Sequence, residues 1–562
     1  MDWCIKNINM QKNSFLLSLT TILLVYCIGA YAIPLMDVDA AQYASISREM
    51  LEKKSYLQLF DLNADYLDKP PMLFWLSALS MKVLGIYDWA YRIPSLLFLG
   101  VALFSTFYFA KLYYNLTTAR LATLILASSQ AFFLIAHDIR TDTMLVGWVM
   151  AAICALAYWT STKQNKYFFI AIIAIAGGMM TKGPIALVVP VLCFAPEWFC
   201  KKDWAYFFKP IYILGILLIA VLLLPMTWGL YQQFDLHPGK IINHRPIQSG
   251  VEFYYWTQSF GRYTGENAFK EMGYFTFLLE NMFWSFLPWI FVFLWALGAK
   301  FITIIKEGVF RPSNERISFF GFVLTYLVLS RSQAQLPHYI FVVFPLAAIL
   351  TASHWEKIIW NNTSMGKGLK FFYRFHLCLF SLFIIVVGLI ALVPFGKAPI
   401  IILLITCLIL IVFASLLLSK YTIGQKWFYS AIVLWVGVNL VMNTHFYPNL
   451  LPYQLGNQMV KQIETQQWNK DAIVLHKIPN SYAMHFYGKH VFTIKEDSLE
   501  LKEGDWVVTD LANDSVIRKQ FPKSQLQFES RRFHVTMLSL PFLNPATRDR
   551  ETIPFEVIEL KK

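Results

Sequence analysis

Long apolar runs separated by short polar segments dominate this chain. Judged against about 20 residues per membrane crossing, these runs predict about thirteen transmembrane helices. They lie at about residues 14–35, 92–112, 119–136, 143–160, 167–181, 184–199, 210–231, 276–304, 317–331, 338–353, 373–394, 399–419 and 427–446. The run from Met72 to Gly85 is shorter and ends close to Lys82, so we interpret it as a helix at the membrane interface.

Three polar segments are long, and the last of them predicts a separate domain. They cover about residues 36–91, about residues 232–275 and the tail from residue 447. The tail alternates with period two, as strands do, at Ala472–Leu475, His490–Ile494, Asp505–Thr509 and Phe533–Met537. The prediction is a transmembrane domain over residues 1–446, with outer loops at about 36–91 and 232–275, followed by a soluble mixed α/β domain over residues 447–562.

The distribution of basic residues predicts the orientation. One set of loops is rich in lysine, among them Lys163, Lys166, Lys201, Lys202, Lys209, Lys300, Lys306, Lys420 and Lys426. The opposite short loops hold little more than Arg140, Lys182, Arg331 and Lys397. The positive-inside rule therefore places the N-terminus in the cytoplasm and the three long segments outside. Ala30-Tyr31-Ala32 resembles a signal-peptidase site, but the spanning length of the first run favours an uncleaved helix.

Composition supports a polytopic membrane protein. The 562 residues are 57% hydrophobic and only 15% charged. The net charge of +13 could indicate nucleic acid, but the basic residues are scattered over short loops, so we expect membrane lipids and no nucleic acid as partners. The seven cysteines lie in or near apolar runs, which gives neither a disulfide framework nor a Cys/His metal site.

Several polar residues near predicted helix ends have ordinary structural interpretations. Asp39 with Gln42 three residues later fits a capping box, and Asp142 also fits a helix cap. Lysine and arginine at such positions commonly extend toward lipid headgroups, and a histidine can simply donate to a backbone carbonyl. These interpretations apply to Lys182, Arg331 and His338.

The predicted topology brings these residues to one face, and that convergence suggests chemistry. The carboxylates are Asp37, Asp39, Asp138 and Asp142, and the cations and donors are Lys69, Arg140, Lys182, Arg331 and His338. A carboxylate can take a proton from an acceptor while Lys and Arg neutralise charge on a departing phosphate. Because no Gly-rich nucleotide loop is present, a lipid phosphate fits the donor best. No cofactor is predicted; a divalent metal bound by Asp37, Asp39 and Asp138 stays open.

An ordered set of motifs carries a family resemblance. In chain order these are Asp39-x-x-x-Tyr43, Ile46–Met50, Asp68-Lys69-Pro70-Pro71, Arg92-Ile93-Pro94-Ser95, Arg140-Thr141-Asp142, Thr181-Lys182-Gly183-Pro184 and Leu336-Pro337-His338-Tyr339. Together they resemble the GT-C glycosyltransferases of the protein O-mannosyltransferase superfamily, and most closely the bacterial lipid A 4-amino-4-deoxy-L-arabinose transferases.

This resemblance implies an inverting glycosyltransferase. Such an enzyme moves a sugar, aminoarabinose in those relatives, from a polyprenyl-phosphate donor to an acceptor such as lipid A at the periplasmic face of the bacterial inner membrane. It implies that Asp39 is the catalytic group and that Lys69 contacts the donor phosphate. We assign donor-phosphate or substrate binding to a further set of residues, namely Tyr43, Arg140, Asp142, Lys182, Arg331, His338 and Tyr339.

The chain departs from its relatives at two of these motifs. Many relatives have Asp-Glu where this chain has Asp39-Ala40, and Glu-Lys-Pro-Pro where it has Asp68-Lys69-Pro70-Pro71. The missing glutamate removes an acidic group that Asp37 could replace. The identity of the sugar and the acceptor therefore stays open. So does the question of whether Asp39 acts alone or with Asp37 or Asp142.

Two other classes of function compete with the enzyme. A transporter or flippase for a lipid-linked sugar would use the same polar face as an entry gate, but it should carry ionisable residues near mid-bilayer on broken helices. A non-catalytic envelope protein would use its tail to bind a partner and would show a shallow outer face. The predicted position of the charged residues at helix ends favours the enzyme.

Overall fold

The chain is largely helical, as its apolar runs predict. The computed structural model describes residues 10–242, 245–258, 261, 273–310, 315–357 and 366–561, so part of the predicted outer loop 232–275 lies outside the described residues. Within the described residues, eight helical segments are long and apolar enough to cross a membrane. They are Lys12–Ala32, Asp88–Tyr113, Thr141–Thr162, Trp204–Asp235, Pro337–Trp355, Lys367–Leu392, Ile400–Leu418 and Ile423–Tyr453. The remaining predicted runs contain shorter helices, so the polytopic fold is confirmed and the count of thirteen stays a prediction.

The helices are numbered in chain order. Those of the membrane domain are α1 (Lys12–Ala32), α2 (Asp39–Lys53), α3 (Met72–Leu84), α4 (Asp88–Tyr113), α5 (Leu116–Ala127), α6 (Gln130–Ile135), α7 (Thr141–Thr162), α8 (Asn165–Lys182), α9 (Ile185–Lys201), α10 (Ile211–Leu230), α11 (Gly250–Glu252), α12 (Phe277–Ser285), α13 (Ile290–Glu307), α14 (Ile317–Ser330), α15 (Phe344–Trp355), α16 (Lys367–Leu392), α17 (Ile400–Leu418) and α18 (Ile423–Val441). Those of the tail are α19 (Tyr447–Leu450), α20 (Leu455–Gln466), α21 (Tyr482–Gly488), α22 (Asp514–Gln520), α23 (Leu540–Leu543) and α24 (Arg548–Glu551).

Burial separates central helices from peripheral ones. Helix α7 is buried over most of its length, whereas α16 and α17 leave most of their apolar side chains uncovered by protein. Leu389 on α16 and Ile400 on α17 are 55% and 71% exposed, which in water would be an unfavourable surface. These two helices, together with α10, whose spanning segment is equally uncovered, therefore present their side chains to lipid.

Two predicted runs are interrupted. The run 119–136 forms two helices, α5 and α6. The backbone of Ser129, the residue before α6, is extended and so separates them. The run 276–304 forms α12 and α13, separated at Leu287-Pro288, since proline has no N–H to continue the helical hydrogen bonds. Met72–Gly85, assigned to the interface from its length, is the short helix α3.

Where the structure describes it, the membrane domain has two short antiparallel strand pairs, β1 (Phe60–Asp61) with β2 (Ala64–Asp65) and β3 (Lys240–Ile242) with β4 (Arg245–Ile247). The tail contains the mixed sheet that its alternation predicts. The strands of the tail are β5 (Ile473–Leu475), β6 (Thr493–Ile494), β7 (Trp506–Asp510), β8 (Gln525–Arg532) and β9 (Ile553–Glu559), in the spatial order β6-β5-β7-β9-β8. Strand β5 is parallel to β6 and β7, and β9 is antiparallel to β7 and β8. Helices α20 and α21 pack on one face, and α22 packs on the other.

One predicted strand is wrong and two strands were missed. Phe533–Met537 forms no strand; its alternation arises because Phe533 and Val535 pack against the ends of membrane helices. The missed strands are β8 and β9. Strand β8 is an edge strand with mostly exposed side chains, so it lacks the apolar alternation that a strand with one buried face shows.

The tail is attached to the segment that follows α1. Asp37 accepts hydrogen bonds from the Ser481 hydroxyl (2.5 Å) and the Ala483 backbone N–H (2.9 Å) at the start of α21. The backbone N–H of Leu35 donates to the Tyr487 hydroxyl at 2.7 Å. Asp37 therefore serves the junction with the tail.

A second carboxylate in the outer segment makes a similar contact with α21. Asp61 lies in β1 (Phe60–Asp61), which pairs with β2 (Ala64–Asp65) in a short hairpin. Its Oδ2 accepts hydrogen bonds from Gln42 (2.6 Å) and from the Tyr482 hydroxyl (3.2 Å). Two carboxylates of the membrane domain thus contact one helix of the tail.

We expect the double variant Asp37→Asn/Asp61→Asn to gain stability over the wild type as the pH rises from 4 to 7. Burial raises the pKa of Asp37 and of Asp61 to about 6. In the unfolded chain both carboxyls titrate at about pH 4. Each group in the wild type thus contributes stability that is fully present below about pH 4 and lost as the pH rises through 6. The expected difference is about 1–3 kcal/mol, measured as unfolding temperature against pH; parallel curves for the two proteins would contradict it.

Candidate active site

The ends of several distant helices, on the side of the C-terminal domain, meet in one charged network. Asp39 Oδ2 lies 2.6 Å from Arg140 Nη1, and Arg140 Nε lies 3.1 Å from Asp138 Oδ2. Arg140 Nη1 also contacts His338 Nδ1 at 3.3 Å. The network therefore joins the start of α2, the loop before α7 and the turn before α15, which the sequence separates by up to three hundred positions.

The network continues through a buried ion pair. His338 Nε2 lies 3.5 Å from Asp142 Oδ2, and Lys182 Nζ lies 2.5 Å from Asp142 Oδ1. The Lys182 ammonium also lies over the Tyr339 ring, 4.0 Å from its centre. Because Arg140 can only donate, His338 Nδ1 must accept, so the ring proton is on Nε2 and faces Asp142. Seven of the residues selected from sequence, Asp138 among them, thus form one connected set.

Local sequence explains how these side chains reach the helix ends. Asp39 is the first residue of α2, where the positive end of the helix dipole favours a carboxylate. Lys182 is the last residue of α8, because Gly183 follows with φ +98° and Pro184 precedes α9. Pro337 opens the 3-10 turn Pro337–Val343 that holds His338 and Tyr339.

The capping interpretations do not hold in the structure. Asp39 makes no side-chain cap hydrogen bond, and Gln42 donates to Asp61 and Tyr482 instead of closing a capping box. Asp142 is the second residue of α7 and pairs with Lys182. These side chains therefore bond to residues distant in the sequence instead of to the backbone at the start of their own helix.

Exposure distinguishes the carboxylates. The Asp39 side chain is 35% exposed, whereas Asp138 and Asp142 are 5% and 2% exposed. Burial alone would lower the pKa of Arg140, but Asp138 and Asp39 beside it raise that pKa above its ordinary value, which keeps the guanidinium charged. Asp39 is therefore the network carboxylate that a molecule from outside can reach.

The Asp68-Lys69 motif lies beside this network. Lys69 Nζ pairs with Asp68, and the Asp68 carboxylate accepts a hydrogen bond from Gln258 at 2.9 Å. Burial, Asp39 and Asp68 together raise the pKa of Tyr43 well above its usual value, so both acidic motifs act on one phenol. The structure thus brings Asp39, Tyr43 and Lys69 to the same region, as the sequence predicts.

A hairpin turn positions the motif. Leu62 and Asn63 occupy the turn between β1 and β2 with positive φ values. Their backbone N–H groups donate to the buried Glu49 carboxylate at 2.8 and 3.1 Å. Helix α2 therefore carries Asp39 at one end and, through Glu49, fixes the hairpin from which the chain runs on to Lys69.

Tyr66 was missed by the sequence reasoning. Its ring packs edge-on against Phe74, as does the ring of Tyr43, with centroids 5.8 Å apart in both pairs. Tyr66 is 7% exposed, and its hydroxyl has no hydrogen-bond partner among the described residues. Burial raises its pKa, and Tyr43, Asp68, Asp61 and Asp39 add to that rise. No motif or spacing marks this tyrosine, because only the hairpin folds it toward the two acidic segments.

Two of the residues proposed from sequence make no contact with the network or with the Asp68-Lys69 motif within the described residues. Arg331 is exposed and makes no ion pair within the described parts of the chain. Asp37 faces α21, so it does not replace the missing glutamate beside Asp39.

The proposed metal ligands do not come together. Asp39 and Asp138 both pair with Arg140, while Asp37 contacts the tail. Over the residues that the structure describes, no group of three or more His, Cys, Asp or Glu side chains is arranged to hold a metal ion. The residues present therefore do not fit the metal site that the sequence left open.

Sequence and structure comparisons agree with this architecture. Residues 68–228 match the family described as dolichyl-phosphate-mannose-protein mannosyltransferase. Over 343 residues the chain is 25% identical to the undecaprenyl phosphate-alpha-4-amino-4-deoxy-L-arabinose arabinosyl transferase of Edwardsiella ictaluri, covering 60% of this chain and 58% of the relative. The protein of the same name from Serratia proteamaculans is 27% identical over 343 residues, with the same coverage. The chain thus matches less than two thirds of the length of these relatives.

The solved structures extend the likeness to the whole chain. The crystal structure of ArnT from Cupriavidus metallidurans bound to undecaprenyl phosphate superposes with a TM-score of 0.74, at 15% identity, covering 98% of this chain and 99% of that one. Its apo state gives a TM-score of 0.74 at 14% identity, covering 97% of each chain. The GT-C fold with a C-terminal sheet-containing domain, expected from the motifs, is confirmed.

We expect Lys182→Met to lower stability strongly, because it leaves the buried Asp142 carboxylate without its cation. Breaking a buried pair in this way costs about 3 kcal/mol. The double variant Asp142→Asn/Lys182→Met should recover part of the loss. Unfolding temperature in detergent measures both.

Arg331→Met is the matched control, since this exposed arginine has no ion pair in the described residues. Equal losses for Lys182→Met and Arg331→Met, or a double variant less stable than the single one, would contradict the role of the pair.

Proposed function

We propose that this chain is an inverting GT-C glycosyltransferase that moves a sugar from a polyprenyl-phosphate donor to a lipid acceptor. The observation that carries the proposal is the position of Asp39, a reachable carboxylate oriented by Arg140 within a network of helix-end charges, with Lys69 paired to Asp68 in the segment that follows α2. The names of the relatives, which are aminoarabinose transferases acting from undecaprenyl phosphate, support this donor class.

In this mechanism Asp39 is the general base. It takes the proton from the acceptor group that attacks the sugar carbon, while the bond from that carbon to the donor phosphate breaks on the opposite face. Asp138 and Asp142 are too buried for this task, and Asp37 is bound to the tail. Asp39 therefore acts without a second carboxylate as base.

Lys69 neutralises the phosphate that departs. A fixed cation next to the developing negative charge lowers the barrier, because the charge forms in a site shielded from bulk water. Asp68, held in turn by Gln258, orients the ammonium. Arg140, His338, Asp142 and Lys182 hold the surrounding helix ends in register, and Tyr339 packs against Lys182.

Tyr66 binds the sugar in this proposal, and the more deeply buried Tyr43 packs on the same ring, Phe74. Both rings pack edge-on against Phe74. The Tyr66 hydroxyl, which lies beside the acidic motifs, has no hydrogen-bond partner among the described residues. A phenol in that position can donate a hydrogen bond to a sugar hydroxyl or to the phosphate.

The acceptor and location follow from the same proposal. Lipid A at the periplasmic face of the bacterial inner membrane fits an outer-facing site with an N-terminus in the cytoplasm, as the distribution of lysines predicts. A transporter receives no support, because the charged residues named above lie at helix ends: Asp39, Arg140 and Asp142 at starts and Lys182 at an end.

We expect Asp39→Asn to abolish transfer, and Asp37→Asn to leave it near the wild-type level. The two substitutions make the same chemical change two residues apart, but only Asp39 belongs to the network. Removing a general base typically costs a factor of about 10² to 10⁴. The measurement is the mass of lipid A from cells expressing each variant, with membrane levels of the protein matched; the mass shift also identifies sugar and acceptor.

Lys69→Ala should likewise abolish transfer while leaving membrane insertion unchanged. Full activity in Asp39→Asn and Lys69→Ala would defeat the enzyme assignment. An equal loss of transfer in Asp37→Asn and in Asp39→Asn would contradict the assignment of Asp37 to the contact with the tail and of Asp39 to catalysis.

We expect Tyr66→Phe to reduce transfer by about tenfold, which corresponds to about 1.4 kcal/mol, without lowering stability. The hydroxyl makes no hydrogen bond within the described residues, so the folded protein loses no contact. Initial transfer rates and unfolding temperatures distinguish the two effects. Unchanged rates would remove Tyr66 from the site, and reduced stability would indicate a structural role.

A further inference from the structure

One segment of the tail lies on the ends of the membrane helices. This apolar segment, residues 533–543, follows β8 and includes α23. Val535 and Phe542 are buried, and Phe533 stacks on Phe542 with ring centroids 3.7 Å apart. Aromatic packing within the segment and contacts with residues at the ends of the membrane helices thus hold it in place.

Its buried side contacts three membrane helices at one end. Val535 and Phe542 share an apolar cluster with Ile33, directly after α1, and with Phe446, five residues beyond α18 and near the end of the spanning segment Ile423–Tyr453. The same cluster includes Phe395, three residues after the end of α16. Since spanning helices end at the membrane surface, the apolar segment lies at that surface.

An arginine fixes the contact with the end of α16. Arg548 donates to the Pro394 carbonyl and lies over the Phe395 ring, 4.8 Å from its centre. It also donates to the Phe542 carbonyl at 3.0 Å, so it ties the apolar segment to the loop after α16. The position of the segment at the membrane surface therefore rests on polar contacts as well as apolar packing.

The opposite side of the segment is apolar and uncovered. Met537, Leu538 and Leu540 are 72%, 44% and 82% exposed. Clusters of large exposed apolar side chains are unusual on a water-soluble surface and mark a contact with something apolar. The neighbouring end of α16 is exposed in the same way, at Leu389, Leu392 and Val393, so the uncovered surface continues a lipid-facing one.

Cations flank this surface. Lys397, two residues after Phe395, is exposed, and so is Arg550 in α24. Basic side chains at the edge of an apolar surface suit the phosphate groups of a bilayer, where each contributes attraction to anionic lipid.

We propose that Met537, Leu538 and Leu540 insert into the leaflet of the bilayer on the side of the C-terminal domain, so that phospholipid covers this surface. The tail is then held to the membrane by lipid as well as by α21. The partner is the bilayer, which the continuity with α16 favours over a second copy of the chain or another protein.

Site-specific photo-crosslinking of the full chain tests this proposal. A benzophenone amino acid replaces Leu540 or, in a second variant, Met537, and the protein is reconstituted into nanodiscs of phosphatidylethanolamine and phosphatidylglycerol. After irradiation, intact-protein mass spectrometry detects lipid adducts. We expect lipid adducts at both positions, and severalfold more than at the control position Val516.

Val516 is a matched control because it is an exposed apolar residue, 51% exposed, of the same domain. It lies on α22, which packs on the face of the sheet opposite α20 and α21. Leu389 on α16 is the positive control for lipid contact. Once Leu389 gives lipid adducts, two results overturn the proposal. Either Leu540 and Met537 give no more lipid adducts than Val516, or they crosslink to a second copy of the chain instead of to lipid.

Discussion

The ion pairs and hydrogen bonds of the Arg140 guanidinium hold together the helix ends on the side of the C-terminal domain. The guanidinium lies between Asp39, Asp138 and His338, and so joins α2, the loop before α7 and the turn before α15. A planar group with five fixed donors suits this task, since one residue can satisfy several acceptors in set directions. Without it, Asp39 and the buried Asp138 would repel each other with no cation to offset their charge.

Charge compensation at helix ends explains why the network tolerates so much burial. Asp142 is nearly inaccessible, yet Lys182 and His338 both lie against it. A buried carboxylate is stable only with such partners. The same arrangement leaves Asp39 as the carboxylate that is both oriented and reachable, which is what a base needs. Within one network, Asp142 thus stabilises the fold, while Asp39 is left accessible for the proposed chemistry.

The C-terminal domain is coupled to this network through α2. Gln42, one turn after Asp39, donates both to Asp61 and to the Tyr482 hydroxyl of the tail. Asp37, two residues before Asp39, binds the start of α21. The helix that carries Asp39 is therefore fixed on both sides of that residue by a domain more than four hundred positions away. The tail is therefore a structural part of the face that carries the network.

The sequence by itself determined the helical membrane architecture, the sheet-containing tail and the members of the charged network. Apolar runs and period-two alternation are local patterns imposed by the bilayer and by the pleat of a sheet, so they can be read without the fold. Short motifs also selected Asp39, Lys69, Arg140, Asp142, Lys182 and His338, which the structure brings to one region.

Only the tertiary structure decided which partner each polar residue has. Asp37 and Asp39 look equivalent in the sequence, but one binds the tail and the other binds Arg140. Tyr66 carries no local signal, and the alternation at Phe533–Met537 reflects packing on membrane helices rather than strand pairing. These outcomes depend on contacts between segments hundreds of residues apart, and the free energy of such contacts does not appear in the spacing of residues along the chain.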